Sequence, residues 1–483
     1  MRVESLESWD SRSGRYTPSM AIPRRDLNGH QRSRPTVVDL FAGAGGMSLG
    51  FEQAGFDVVA AVEYDPVHAA VHKYNFPECA IVTRPIELVT GSEIRQAAHL
   101  GESTVDCVIG GAPCQGFSLI GQRALDDPRN ALVRDFVRVV VELRARSFVF
   151  ENVKGLTLGP HRAFLEELIR EFQISGYEVQ LPYQVLNAAS YATPQSRERL
   201  FLLGVRNGLK LPRYPEPRTS IVGRNGTERT LAEAVTVSDA LADLPDVDSL
   251  PSLLDSDEIV IDLPAPLSSY ASEMRGITRA SDDMSYKRAW DTSRLTNSRA
   301  TRHTPISRRR FAATSPGHVE PISRFLKLDP SGICNTLRAG SDGARGAFTS
   351  PRPIHPLHSR CVSVREMARL HGFPDWFRFN TTKWHGARQI GNAVPPPLAR
   401  AVGHEVRKVL CASPPSPPKR VVQLGDPTWL TFDMSAASSH FGIDPLPNRR
   451  DRKSGSRKRS QEQVELDLKR VGDGSSSGSN SWR

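Results

Sequence analysis

A single cysteine stands between proline and glutamine in the run Gly110-Gly111-Ala112-Pro113-Cys114-Gln115-Gly116-Phe117-Ser118. The chemistry open to Cys114 is nucleophilic: its thiolate can add to an electrophilic carbon and later leave. A lone cysteine is more often a small buried hydrophobe. Here the flanking proline and glycines favour an exposed loop of fixed shape. The second chemical feature is Ala42-Gly43-Ala44-Gly45-Gly46, directly after the apolar run TVVDLF that ends at Phe41. Such a turn lets backbone amides approach a ligand at a helix N-terminus. The third glycine of a dinucleotide fingerprint is replaced by Ser48, which disfavours a dehydrogenase relative to another nucleoside-cofactor enzyme. The next apolar run ends at Glu63-Tyr64-Asp65, where a carboxylate can accept hydrogen bonds from both ribose hydroxyls.

These residues need strands to hold them, and the sequence supplies an alternating series. TVVDLF precedes the glycine turn and MSLGFEQAG; DVVAAVE precedes PVHAAVHKYN; VDCVIGG leads into the cysteine loop; ALVRDFVRVVVELRA precedes SFVFENV. FLEELIREFQISG, EVQLPYQVL and LFLLGV continue the pattern to Val205. Strands alternating with helices imply parallel βαβ units, hence an α/β fold with a mostly parallel, doubly wound sheet. Cys114 then lies in a loop at the C-terminal end of a strand, where such sheets act on ligands.

The alternation fails from Arg206 to Lys383, where Pro, Ser, Arg and Asp mix irregularly in a second, loop-rich domain. After Pro396 apolar residues recur at helical spacing and predict one closing helix. The catalytic domain is therefore read as 36–205 plus 384–411, with 206–383 inserted. Residues 1–35 are read as a disordered basic arm, and 412–483 as a linker and basic low-complexity tail. The chain of 483 residues carries 63 Lys and Arg against 53 Asp and Glu, a net +10 that suits a phosphate-coated partner. Its six cysteines form no C-x-x-C pair and no metal-spaced cluster, so no metal site is expected. No run approaches the ~20 apolar residues of a membrane span, and no signal peptide is read, so a cytoplasmic enzyme is expected.

Six segments in order resemble the motifs of the DNA (cytosine-5)-methyltransferase family: DLFAGAGG, GGAPCQGFS, Glu151-Asn152-Val153, QSRER at 195–199, RCVSVREMARLHGFPDWF at 360–377, and QIGNAVPPPLA at 389–399. The resemblance spans roughly residues 36–408. It implies a Rossmann-like domain that uses S-adenosylmethionine, with the insert acting as a target-recognition domain on double-stranded DNA. Cys114 matches the family's nucleophile, which attacks C6 of a flipped-out cytosine so that C5 can accept the methyl group. By the same resemblance Glu151 holds the N3 side of the base. Arg197 and Arg199 lower the thiol pKa and hold cytosine O2.

The resemblance also assigns the cofactor site. Phe41 packs on the adenine or methionine portion, Glu63 takes the ribose, and Pro113 lies beside the sulfonium. Ala42, Gly43, Gly45, Gly46, Tyr64, Leu132, Asn392 and Ala393 complete it. One departure stands out: the family's adenine-binding acid after the third strand is missing, and the stretch reads Thr83-Arg84-Pro85-Ile86. Either Glu87 or a backbone carbonyl substitutes, or adenine is held less tightly. Gln115, Gly116 and Ser118 are candidate DNA contacts, as are Arg308, Arg309, Arg310, Arg338 and Arg345 in the insert, where Thr336-Leu337 resembles a family segment. The remaining expectations are a monomeric, nucleoid-associated bacterial enzyme and a cognate restriction endonuclease acting on the same site. The competing readings are a tRNA cytosine-5 methyltransferase and a catalytically silent DNA-binding homologue. The long insert and PCQGFS disfavour the first, and intact Cys114, Glu151, Arg197 and Arg199 disfavour the second.

Overall fold

The computed structural model describes residues 34–113, 130–159, 161–220, 231–341, 349–411 and 417–444. Its frame is a sheet of eight strands: β1 (Thr36–Leu40), β2 (Asp57–Val62), β3 (Ala80–Val82), β4 (Cys107–Gly110), β5 (Ser147–Val153), β6 (Tyr177–Val179), β7 (Gln184–Asn187) and β8 (Glu198–Arg206). The order is β3-β2-β1-β4-β5-β8-β6, with β7 also on β8. The first five strands are parallel and β8 runs antiparallel to β5. β1 and β4 are buried along their whole length, which is why both read as continuous apolar runs rather than alternating ones.

Helices cover both faces. α1 (Gly46–Gln53), α2 (Pro66–Asn75), α3 (Gly91–Ala97), α4 (Ala131–Glu142) and α5 (His161–Ile174) follow the strands in turn. α4 buries Val133, Phe136, Val137, Val139 and Val140, and α5 buries Phe164, Leu165, Leu168, Ile169 and Phe172. These spacings of three and four form one stripe on each helix. The insert adds α6 (Val237–Leu241), α7 (Ser269–Met274), α8 (Pro305–Ala313) and α9 (Val364–His371). The chain then returns through α10 (Lys383–Asn392) and α11 (Pro396–Leu410). α11 is the predicted closing helix. It packs against α1 so closely that a Cβ on Gly50 would lie 2.4 Å from Ala399 Cβ and 2.7 Å from Arg400 N.

Two boundaries differ from the sequence expectation. Arg34, placed in the N-terminal arm, is buried: its guanidinium pairs with Asp57 at 2.9 Å and donates to the carbonyls of Glu52, Phe56 and Met284. Beyond Pro417 the chain is no plain tail as far as Asp444. Val421–Gln423 pairs in parallel with Lys287–Ala289 of the insert, and α12 (Met434–Phe441) packs on α2. The anchor is apolar, since Leu430 is fully buried in the cluster that holds Val71, Tyr74 and Phe377. Polar composition at both ends of this segment hid three or four apolar residues that suffice to dock it. Leu430→Ala is therefore expected to cost about 2 to 4 kcal/mol in urea unfolding, as for other buried leucines.

The insert is fastened to the catalytic body rather than hung from it. Arg288 makes a buried two-pronged ion pair with Glu52 of α1, both contacts at 2.8 Å. A single hydrophobic cluster contains Ala42 and Leu49 beside the glycine turn, Met367 and Leu370 of α9, and Ile390 of α10.

Candidate active site

From β1 the chain winds to one side of the sheet, and from β4 to the other, so the loops leaving these two neighbours flank the topological switch point. The loop after β1 is the glycine turn. Phe41, Gly43 and Gly45 all have positive φ, at 59°, 56° and 102°, conformations that glycine adopts without strain and Phe41 adopts at some cost. Glu63, at the end of β2, ties the turn: one carboxylate oxygen accepts from Gly43 N at 2.7 Å and the other from Asp65 N at 2.8 Å. Burial pushes the Glu63 carboxyl above its ordinary range, against the pull of His68. The Gly45 Cβ position lies 2.6 Å from Phe76, and that of Gly46 lies 2.5 Å from the Val394 carbonyl. The turn is thus sealed below by α2 and behind by the Asn392-Ala393-Val394 segment.

Sequence reasoning gave no role to the polar network beneath it. Ser48 Oγ donates to Asp39 Oδ2 at 2.6 Å and lies 3.0 Å from His72 Nε2. Burial raises the Asp39 carboxyl to about 7 and lowers the His72 imidazole to about 3. Ser48, read as a missing glycine, is the residue that joins α1 to the strand below. The signal was present in the serine itself, but its partners come from two other elements, Asp39 on β1 and His72 on α2.

Above the turn the space is open: a Cβ at Gly43 would meet nothing within 4 Å. Tyr64 is 47% exposed, and Asn392 is exposed. Phe41 and Leu132 are half-buried against one hydrophobic cluster. Open room over backbone amides, an acid at the strand end and an aromatic rim fit a nucleoside with its ribose. In the departed adenine segment, Arg84 pairs with Glu93 at 2.5 Å and Glu87 is exposed on the 3₁₀ turn Ile86–Leu88.

The loop after β4 runs beside an acid. Glu151 on β5 comes so near that a Cβ on Gly111 would lie 2.6 Å from its Oε2. Asn152 Nδ2 donates to the Ala112 carbonyl at 3.0 Å, fixing the chain just before Pro113. Cys114 itself, with Gln115, Gly116 and Ser118, lies outside the described residues, as does Arg345. Arg199 on β8 pairs with Glu151 through Nε at 2.9 Å, which follows from the register that sets Val153 opposite Arg199. Burial raises the Glu151 carboxyl, opposed by Arg199 and then Arg197.

Arg197 is brought to the same edge but is bound differently. Its two terminal nitrogens donate to the Leu337 carbonyl at 2.9 Å and the Gly391 carbonyl at 2.8 Å. Burial, and then Arg199, lower it to about 9. Gln195 works alongside: its carbonyl accepts from Leu337 N, and its Nε2 lies 2.9 Å from His371 Nδ1. His371 Nε2 in turn lies 3.0 Å from the Ala393 carbonyl. QSRER, Thr336-Leu337, the end of α9 and the Gly391-Asn392-Ala393 segment are thereby locked together. Gln195 and His371 were visible inside quoted motifs, but nothing in the sequence said that they face each other.

The insert arginines singled out in the sequence separate into paired and exposed. Arg308 pairs with Asp248 at 2.6 Å and Arg310 with Glu320 at 3.4 Å. Arg309 and Arg338 are exposed. No His, Cys, Asp or Glu cluster suited to a metal occurs among the described residues, and no described helix is long and apolar enough to cross a membrane.

An open α/β sheet with a nucleoside-type glycine turn and an acid–arginine pair at its switch point defines a Rossmann-like group-transfer enzyme. The profile of C-5 cytosine-specific DNA methylases matches residues 35–408, and the chain belongs to that family. It is a DNA (cytosine-5)-methyltransferase of the bacterial restriction–modification type. It is 56% identical over 411 residues to the type II methyltransferase M.XorII of Xanthomonas oryzae pv. oryzae, covering 85% of this chain and 93% of that one. Similarity to M.AgeI of Thalassovita gelatinovora is 31%, covering 77% of this chain and 99% of the other. Among solved structures, a prophage-encoded protein of E. coli described as a candidate DNA modification methyltransferase superposes with a TM-score of 0.61 at 32% identity, covering 78% of this chain and 99% of that one. The family is S-adenosylmethionine-dependent.

Proposed function

We propose that the chain transfers a methyl group to C5 of a cytosine everted from duplex DNA, through covalent addition of Cys114 to C6. The observation that carries this reading is the buried Glu151–Arg199 pair set against Gly111, three residues before Cys114 on the same loop. C5 of cytosine is a weak nucleophile while the ring keeps its conjugation. Addition of the Cys114 thiolate at C6 converts the ring into an enamine with electron density at C5. Glu151, kept protonated more readily by burial, donates to N3 and stabilises the charge that develops there. Arg199 orients Glu151 and presents its remaining guanidinium to O2. Loss of the C5 proton then expels the Cys114 sulfur and restores the ring.

S-Adenosylmethionine supplies the electrophilic methyl group when bound. Glu63 would hold its ribose, Phe41, Tyr64 and Leu132 its flat and apolar parts, and Ala42, Gly43, Gly45 and Gly46 would approach it with backbone amides. Pro113, Asn392 and Ala393 would close the side facing Cys114. Arg197 serves as the clamp that holds the recognition segment at Leu337 to this floor. The insert, 206–383, delivers the recognised DNA sequence, with Arg309 and Arg338 as exposed candidates for contact. A restriction endonuclease acting on the same site is the expected partner.

The test is bisulfite sequencing of host DNA after expression, together with trapping on duplexes carrying 5-fluorocytosine in the context so identified. New 5-methylcytosine in one fixed context and a denaturation-resistant protein–DNA adduct are expected. No new methylation would sink the assignment of the reaction, and methylation without an adduct would sink the covalent route.

A further inference from the structure

A basic cavity of about 830 Å³ lies where the insert meets the N-terminal end of α10, walled by Arg299, Arg302, Arg352 and Lys383 with Trp384 and His385. The cations come from three separate chain segments and, among the described residues of the cavity wall, meet one carboxylate, Asp255, which pairs with the exposed Arg302 at 3.0 Å. Arg352 is buried and its terminal nitrogens donate to the Val362 carbonyl and to Thr301 Oγ1, both neutral groups. Its Nε has no hydrogen-bond partner. Lys383 donates to the Ala300 carbonyl at 3.0 Å, again a neutral acceptor. Arg299 is half-buried and forms no ion pair or hydrogen bond with the described residues. Among the described residues none of these three cations, Arg299, Arg352 and Lys383, makes an ion pair, although Glu366 acts on Arg352 through space, and partial burial followed by the neighbouring Arg352, Arg299 and Arg302 pushes Lys383 below its ordinary pKa. Such crowding is unfavourable unless an anion from outside the chain fills it.

The cavity is tied to the recognition segment through α10. α10 has ten residues, and its far end is Gly391-Asn392, where Gly391 accepts from Arg197 beneath the recognition segment. At 1.5 Å per residue the helix spans about 15 Å. The rim is tied to the same segment, since Trp384 Nε1 donates to the Ser341 carbonyl at 3.3 Å, four residues beyond Leu337.

We propose that this cavity seats the phosphodiester backbone of the DNA substrate outside the reacting base, with Arg299, Arg302 and Lys383 as the phosphate ligands and Arg352 as the buried charge behind them. The proposal rests on the reading of the chain as acting on duplex DNA, and names where that duplex is gripped outside the reacting base.

The experiment measures the dissociation constant of a fluorescein-labelled duplex by anisotropy across a NaCl series. The proteins are the wild type, the triple variant Arg299→Gln/Arg302→Gln/Lys383→Gln, and a control triple, Arg170→Gln/Lys210→Gln/Arg213→Gln, which removes three exposed cations elsewhere. Each lost phosphate contact lowers the slope of log K against log salt by about 0.9. The cavity triple is expected to lose roughly 2 to 3 from that slope and to bind at least about tenfold more weakly at low salt, while the control changes the slope by less than about one. Unchanged S-adenosylmethionine affinity serves as the check on folding; if the triple fails it, Arg299→Gln alone, whose side chain bonds to nothing described, is expected to lower the slope by about one. Equal slopes for the cavity variants and wild type, or equal losses in both triples, would overturn the proposal. A wild type that binds no duplex at all would overturn the DNA reading itself, and that result is distinct from either.

Discussion

Cys114→Ser is expected to lower the methylation rate roughly 10⁴-fold or more while leaving S-adenosylmethionine affinity within about twofold. The serine hydroxyl is close in size, but its pKa lies so far above neutrality that almost no alkoxide is present to attack C6. The cofactor turn is held by described residues other than Cys114: Glu63 holds Gly43 and Asp65, and Gly46 rests on Val394. The chain entering the loop is fixed independently by Asn152 on the Ala112 carbonyl, so the serine should occupy the same position. Single-turnover assays with tritiated cofactor, and isothermal titration for its affinity, measure the two quantities separately. A residual rate within about tenfold of wild type would mean that the reaction does not pass through this thiol. The same variant should form no adduct with 5-fluorocytosine DNA yet still retain duplex binding.

The centre of the sheet was legible because β1, β4 and β8 are largely buried and read as apolar runs, whereas β3, three half-buried residues, was not read, and EVQLPYQVL, read as one run, divides into β6 and β7. The closing helix was legible from its spacing, and its return to α1 follows from Gly50, where only a hydrogen fits against Ala399. What the sequence hid is of two kinds. One is long-range pairing of polar residues: Gln195 with His371 spans 176 positions and Arg288 with Glu52 spans 236, and no local pattern encodes such partners. The other is the fate of arginines. In RCVSVREMARLHGFPDWF, Arg360, Arg365 and Arg369 look like a basic face, yet all three are fully buried. Arg360 binds Glu366 at 2.8 Å through two nitrogens, and Arg369 binds Asp243 and Asp375. The count of 63 basic residues thus overstates how many cations can face DNA, while the cavity at Lys383 gathers cations from segments that look unremarkable in the sequence.

The second large effect falls on the acid rather than on the nucleophile. Glu151→Gln is expected to lower the rate about 10²- to 10³-fold, the loss typical of one charge-stabilising group in a buried site. Gln retains a donor of similar shape, so the base can still be read at N3. It cannot deliver a proton as negative charge builds on the ring, and this separates a chemical role from a binding one. Substrate affinity should therefore change little while the rate of the chemical step falls. The pH profile gives the sharper readout. Burial raises the Glu151 carboxyl above its ordinary range, with Arg199 and Arg197 opposing, so the protonated form persists to higher pH than in a free glutamic acid and disappears as pH rises through the shifted value. The wild-type rate should carry an alkaline limb from this ionisation, superposed on the acid limb of thiolate formation at Cys114. In Glu151→Gln the alkaline limb should vanish and the acid limb remain. An unchanged alkaline limb in the variant would assign that ionisation elsewhere, and an Arg199→Gln variant would then tell whether the guanidinium at 2.9 Å, rather than the carboxyl it holds, is the group that stabilises the developing charge.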